Sequence, residues 1–221
     1  MLALPIATAE GGFWPAVFLY LLCFVFTVLT GFLLGEACTW MPKDSNIITM
    51  SKHLLGRVGT IWSWILYLFL FYSLTIAYIS GGSQLFRGWF VEMGSLGSTL
   101  LFSIAFGLVI LLGHSIVGRV NSLLMGGLVI SFVGFVAFSF DKLSFDHLAN
   151  QSWILAFPAL PVLFTSFSFQ GLVPTLYSYS RHNAKLTRRC IFWGSLLPLV
   201  CYIVWELCVF GLVPLQGPDG L

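Results

Sequence analysis

The stretch Trp153–Tyr179 reads WILAFPALPVLFTSFSFQGLVPTLYSY and carries the densest chemistry in the chain. At its centre Thr165, Ser166, Phe167, Ser168, Phe169, Gln170 and Gly171 offer hydroxyls, an amide and two aromatic rings. Pro158, Pro161, Gly171 and Pro174 interrupt an otherwise bilayer-length apolar run. A lipid-facing helix does not tolerate such a centre, because an unpaired backbone group in hydrocarbon costs several kcal/mol. Interrupted backbone survives only inside protein or along a cavity, which is where secondary transporters hold their substrates. The groups suit noncovalent recognition of an amino acid. Freed N–H groups and half-helix N-termini face a carboxylate, carbonyls and hydroxyls face an ammonium, and rings face an apolar side chain. A proline-kinked helix whose serines bond to their own carbonyls is the plainer alternative.

Two other groups fit the same chemistry. Met1, Leu2 and Ala3 open the run Leu2-Ala3-Leu4-Pro5, which is compatible with the outer half of a second interrupted span. Between residues 60 and 86, Phe71, Tyr72, Thr75, Tyr78 and Gly82 fall in a stripe about 120° wide at 100° per residue. Tyrosine hydroxyls in a bundle need partners, so that stripe is expected to point inward.

Glu36 and Glu206 lie within apolar spans. Intramembrane acids default to functional candidates, here for ion coupling, with a structural hydrogen bond as the alternative. Nothing else has the spacing of a reactive site. The cysteines show no CxxC pattern, the histidines form no cluster, and neither a nucleophile–base pair nor a phosphate loop occurs. No metal, cofactor or enzymatic activity is expected. Gly31-Phe-Leu-Leu-Gly35 matches a helix-packing GxxxG, and Asn150-Gln-Ser152 matches a glycosylation sequon; both patterns arise often by chance.

These groups need elements to hold them. Of 221 residues, 58% are hydrophobic and 8% charged, against roughly a quarter charged in soluble domains. That composition indicates an all-α polytopic membrane protein in a lipid bilayer. Nucleic-acid binding is excluded, because basic residues sit only beside spans. Six full spans are expected, at about 13–40, 60–86, 98–117, 120–140, 153–179 and 190–213, after an opening half-helix. A short surface helix, capped by Ser45 and ending at Gly56, is expected in SNIITMSKHLLG (45–56). Lys43, Lys52, Arg57, Arg119, Arg181, Lys185, Arg188 and Arg189 fall on one side, and only Arg87 and Lys142 on the other. The positive-inside rule makes the first side cytoplasmic.

The chain resembles the hydroxy/aromatic amino-acid permease family, and within it the tyrosine and tryptophan permeases. MLALPIATAEGGFW resembles the end of that family's interrupted first helix, which usually reads GAGM-L-A-L-P. LTIAYISGG at 74–82 resembles its third helix. PVLFTSFSFQGLVPTLYSY at 161–179 resembles its interrupted sixth helix and is the most specific. The resemblance implies a LeuT-type inverted-repeat bundle of the amino acid/polyamine/organocation superfamily. It also implies proton-coupled uptake of an aromatic amino acid, most simply tyrosine or tryptophan, across a bacterial inner membrane. Two departures stand out. The glycines before Met1 are absent, and LLMGGLVISF (123–132) lacks the lysine some proton-coupled members carry there.

The expectation is a single transmembrane domain over 1–221, from the outer half of helix one through helix seven. Both ends read as cuts through a larger protein. The alternative is a non-transporting fragment, or one subunit of a split permease that needs a complementary C-terminal segment.

Overall fold

A computed structural model describes residues 3–42, 45–89, 94–144, 148 and 151–212. Among the described residues the regular structure is helical: α1 (Ala3–Thr8), α2 (Phe13–Thr39), α3 (Ile47–Trp89), α4 (Ser95–Leu111), α5 (His114–Ser139), α6 (Trp153–Ala156), α7 (Leu160–Ser166), α8 (Val173–Tyr179) and α9 (Ala184–Leu212). Single 3-10 turns follow α5, join α6 to α7 and precede α8. Five segments are long and apolar enough to cross a membrane, counting Trp153–Tyr179 as one. The chain is a multi-pass helical membrane protein.

The expected third and fourth spans need correction. Their boundary falls at Leu112–Gly113, not near residue 118, because Gly113 takes φ +96° and interrupts the helical path there. That leaves α4 with 17 residues, at the short limit for crossing ~30 Å of hydrocarbon. The cap of α3 also differs. Thr49 N–H donates to Asn46 Oδ1 and Asn46 N–H to Thr49 Oγ1, both at 2.8 Å, a reciprocal cap that makes Asn46 and not Ser45 the start signal. The short helix does end at Gly56, where φ is +66°.

The chain divides into two compact units, one formed by Met1–Met50 with Val133–Leu221, the other by Ser51–Phe132. In the first, α2 and α9 run antiparallel. Glu36 near the end of α2 meets Arg188 near the start of α9, while Tyr20 meets Glu206 near the end of α9. The end of α2 at 40–42 and the turn at 180–183 therefore share one end of the unit. At the other end, Ser152 N–H donates to Gly11 O at 2.9 Å.

The buried face of α2 carries Ala16, Leu19, Tyr20, Cys23, Phe24, Thr27, Val28, Gly31, Gly35 and Cys38. Its outer face carries exposed Leu22, Val25, Leu29 and Leu33. Both faces are apolar, so hydropathy cannot distinguish them. Size and polarity do, because lipid tails are as apolar as leucine and helices associate through close backbone approach and hydrogen bonds. The GxxxG is part of that packing. A Cβ at Gly31 would lie 2.9 Å from the Phe169 ring, and one at Gly35 would touch Ile191 and Val173. On α9 the buried residues Thr187, Ile191, Ser195 and Leu199 recur every fourth position. Asn183 caps this helix, accepting from Lys185 and Leu186 N–H at 3.1 Å.

Candidate functional site

The α7–α8 break lies where the sequence places it. Regular bonding ends with Phe167 N–H on Leu163 O at 3.1 Å; Ser168 N–H turns back to Thr165 O. Phe169 N–H leaves the backbone ladder and donates to Gln170 Oε1 at 3.1 Å. The cause differs from the expectation. Gly171 sits in the 3-10 turn Gln170–Leu172 and is not among the glycines at positive φ. Val173 is helical, at φ −59° and ψ −43°, because Pro174 stands in the first turn of α8, where its missing N–H breaks no helix bond. The interruption is carried by Phe167 (φ −95°, ψ 2°) and Phe169 (φ −130°, ψ −1°).

Neighbours hold that geometry. Gln170 Nε2 donates to Thr30 Oγ1 on α2 at 3.2 Å, so the amide of Gln170 bridges α2 to the break. Tyr202 on α9 donates to Ser166 O at 3.2 Å, and its ring meets Phe167 edge-on at 5.2 Å. The Phe169 ring lies over Gly31. Thr165 and Ser166 donate to Pro161 O and Val162 O at 2.7 and 2.9 Å. Their hydrogens are committed to their own helix, but the hydroxyl oxygens keep lone pairs for a donor such as an ammonium.

Beside the break lies a cavity of about 320 Å3, within the ~300–1,000 Å3 range of small-molecule sites. Ser166, Phe167, Ser168 and Phe169 line it from one side, and Gly194 and Pro198 of α9 from the other. Pro198 lies inside α9 and has no N–H to give the Gly194 carbonyl. A wider cleft of about 740 Å3 in the other unit, between Ser80, Ser83, Gln84 and Arg87 of α3 and Ser95 and Thr99 of α4, is more open and adjoins no interrupted helix.

Of the other predicted residues, Ala3 begins α1, and Met1 and Leu2 lie outside the described residues. Leu4 is buried in one cluster with Tyr20, Leu163 and Phe167, which places α1 in the same core as the break. Tyr72 and Tyr78 belong to the other unit, at 69% and 72% exposure, and Thr75 donates to Phe71 O. Glu36 is half exposed and ion-paired with Arg188 at 3.0 Å. Glu206 is fully buried between α1, α2 and α9. It is in hydrogen-bond contact with Thr8 Oγ1 and accepts from Tyr20 OH at 2.7 Å.

Thr8, Tyr20, Thr30, Gly31 and Tyr202 are the site neighbours that pattern reading missed. Polar residues inside apolar spans were the available signal, and Tyr202 stands one turn before Glu206.

The structure is that of a multi-pass helical membrane protein with an interrupted helix beside a cavity. The chain belongs to the tryptophan/tyrosine permease family, whose model matches residues 1–217. It is 32% identical to tyrosine-specific transport system 1 of Haemophilus influenzae, an alignment covering 96% of this chain and 54% of that protein. It is 30% identical to a tryptophan-specific transport protein of Pseudomonas aeruginosa, covering 100% of this chain and 56% of that protein. Glutamine transporter 2 of Aliivibrio fischeri is 27% identical, at 96% and 56% coverage. The chain thus spans about half the length of these relatives. No solved structure matches it significantly.

Proposed function

We propose that this chain belongs to a secondary transporter that imports an aromatic amino acid, tyrosine or tryptophan, by proton symport across a bacterial inner membrane. The observation that carries this reading is the α7–α8 break with its adjoining cavity, walled by two phenylalanines, hydroxyl oxygens and broken-helix backbone. Phe167 and Phe169 would take the substrate ring; Thr165, Ser166, Ser168 and the backbone up to Gly171 would take its charged groups. Gln170 acts through Phe169 and Thr30 to set that geometry. Met1, Leu2, Ala3, Tyr72, Thr75 and Tyr78 are further substrate-binding candidates, on the resemblance to a LeuT-type fold. Glu206 is the better coupling candidate, since Glu36 already has Arg188 as counter-ion.

Charge asymmetry supports a cytoplasmic side at 41–59 and 180–189 and an outer side at 87–97 and 141–152. The half-length match to relatives favours a second reading, in which this chain transports only with a complementary segment.

Counterflow of labelled tyrosine, tryptophan, phenylalanine and glutamine into proteoliposomes tests the substrate class. Exchange of an aromatic amino acid in preference to glutamine is expected. Preference for glutamine would overturn the aromatic assignment, and no exchange until a second membrane segment is co-reconstituted would establish the split form.

A further inference from the structure

Glu206 sits where a charge is hardest to keep. Its side chain is fully buried, and among the described residues no lysine, arginine or histidine pairs with it. The titratable groups buried on the elements around it are Tyr20, Cys23 and, at the far end, Cys38 on α2 and Cys208 on α9 itself; α1 contributes only the Thr8 hydroxyl. Tyr202, one turn earlier on α9, faces Tyr20 at 6.2 Å between ring centres.

Counting hydrogens decides how this cluster is arranged. A threonine hydroxyl has one hydrogen. Thr8 Oγ1 lies 2.9 Å from Leu4 O, 3.5 Å from Pro5 O, and in contact with Glu206 Oε1. Tyr20 supplies its own hydrogen to Glu206 Oε2. If Thr8 gives its hydrogen to Leu4 O, the Thr8–Glu206 contact needs a hydrogen from the acid. The fully satisfied arrangement then runs Tyr20 O–H to Glu206 Oε2, Glu206 Oε1–H to Thr8 Oγ1, and Thr8 O–H to Leu4 O. Removing the carboxyl proton reverses one link: Thr8 must turn its hydrogen to Glu206, and the α1 carbonyl loses its side-chain donor.

We infer that Glu206 is a proton-binding site whose state of charge directs the single Thr8 hydrogen, toward the acid when ionised and toward the Leu4 and Pro5 carbonyls of α1 when protonated. This deepens the transport reading and rests on it for its role. The only covalent change is one O–H bond, formed with a proton from water on one side and broken when that proton leaves on the other. Two routes connect the site to the break. Through Thr8 it reaches α1, whose Leu4 shares a buried cluster with Phe167. Through Tyr20 it reaches the rings of Phe167 and Tyr202, and Tyr202 holds Ser166 O. Protonation of Glu206 thus favours one arrangement of α1 and the break, and by reciprocity substrate favours the proton.

The test uses the protein as its own gene encodes it. Infrared titration without substrate reads the site directly. A protonated-carboxyl C=O band is expected in wild type, absent in E206Q, shifted in T8V and restored in position by T8S. Binding of labelled tyrosine and tryptophan reads the coupling. Wild-type affinity should fall by about tenfold per pH unit above the midpoint of that band, the slope for one linked proton. E206Q should hold the acid-side wild-type affinity at every pH, with no proton uptake on substrate addition. T8V should flatten the slope and T8S recover it. Absence of the band in wild type, or a wild-type slope kept by E206Q, overturns the proposal. A band that behaves as described in a protein that binds neither amino acid supports the proton site while overturning the aromatic transport reading.

Discussion

In the unit that holds the break, polar side chains reach from one element to another. Thr8 and Tyr20 meet Glu206, Gln170 meets Thr30, and Tyr202 meets Ser166. In Ser51–Phe132 they turn inward on their own helix: Thr60 to Gly56 O, Thr75 to Phe71 O, Thr99 to Ser95 O and Ser122 to Gly118 O. Ser63 reaches Ser51, but only across the kink within α3. Burial follows the same division. A third of the most apolar window of α2 and of α9 is buried, and none of that of α3. A back-bonded hydroxyl is satisfied locally and is compatible with lipid or with packing. A cross-element bond exists only if the elements are held together, and it fixes their relative position. The first unit therefore carries the positioned chemistry, and in the second these hydroxyls, apart from Ser63, bond to their own helix.

Substitutions at glycine should separate the two units most sharply. Gly31→Val places atoms into the Phe169 ring and shifts the break; misplacing a binding group by ~1 Å can lower uptake about 100-fold. Gly81→Ala, where an added Cβ meets nothing within 4 Å, should leave uptake at the wild-type rate. Equal loss in both variants would mean that the second unit is packed as tightly as the first in the working protein.

Gln170→Ala should come next. It removes the acceptor of Phe169 N–H and the bridge to Thr30, at about 0.5–1.5 kcal/mol per bond, together about 5- to 150-fold in uptake at limiting substrate. Gln170→Glu keeps the acceptor and loses the donor to Thr30, so it should fall between the two. If Gln170→Ala transports normally, the break is not held by this amide.

Phenol removal compares the units directly. Tyr202→Phe frees Ser166 O and should weaken uptake by about 2- to 13-fold. Tyr78→Phe tests whether the exposed α3 face joins the site. A similar loss places it there, and wild-type uptake confines recognition to the first unit.

The smallest effect is expected at the surface. Arg188→Gln breaks a half-exposed ion pair of the kind that contributes about 0–1 kcal/mol, so the thermal midpoint of purified protein should barely move. A large drop would show that this end of α2 and α9 is less solvated than its exposure suggests.

Much of this was legible in the residues. Apolar runs marked the membrane-length helices, and prolines with a polar centre marked the break. The acids were visible because ionisable groups inside a span are rare. The α4–α5 boundary was missed because Arg119 marked the break between spans in the sequence, whereas the helix is interrupted six residues earlier, where Gly113 takes φ +96°. Break mechanics were misread because glycine and proline are permissive signals. They allow an interruption without saying which residue carries it, and Phe169 bends because the Gln170 side chain is there to take its N–H.

By itself the sequence determined the bilayer as solvent, the approximate course of the helical runs, and the position of the interruption. All three follow from local hydropathy and backbone chemistry. Only the tertiary structure decided which face of α2 is inside, that Gly31 admits Phe169, and that Thr8, Tyr20 and Glu206 meet. Those facts depend on residues as many as 198 positions apart in the chain, and in a bilayer no polar–apolar contrast along a helix announces them, because the lipid side and the packed side are equally oily.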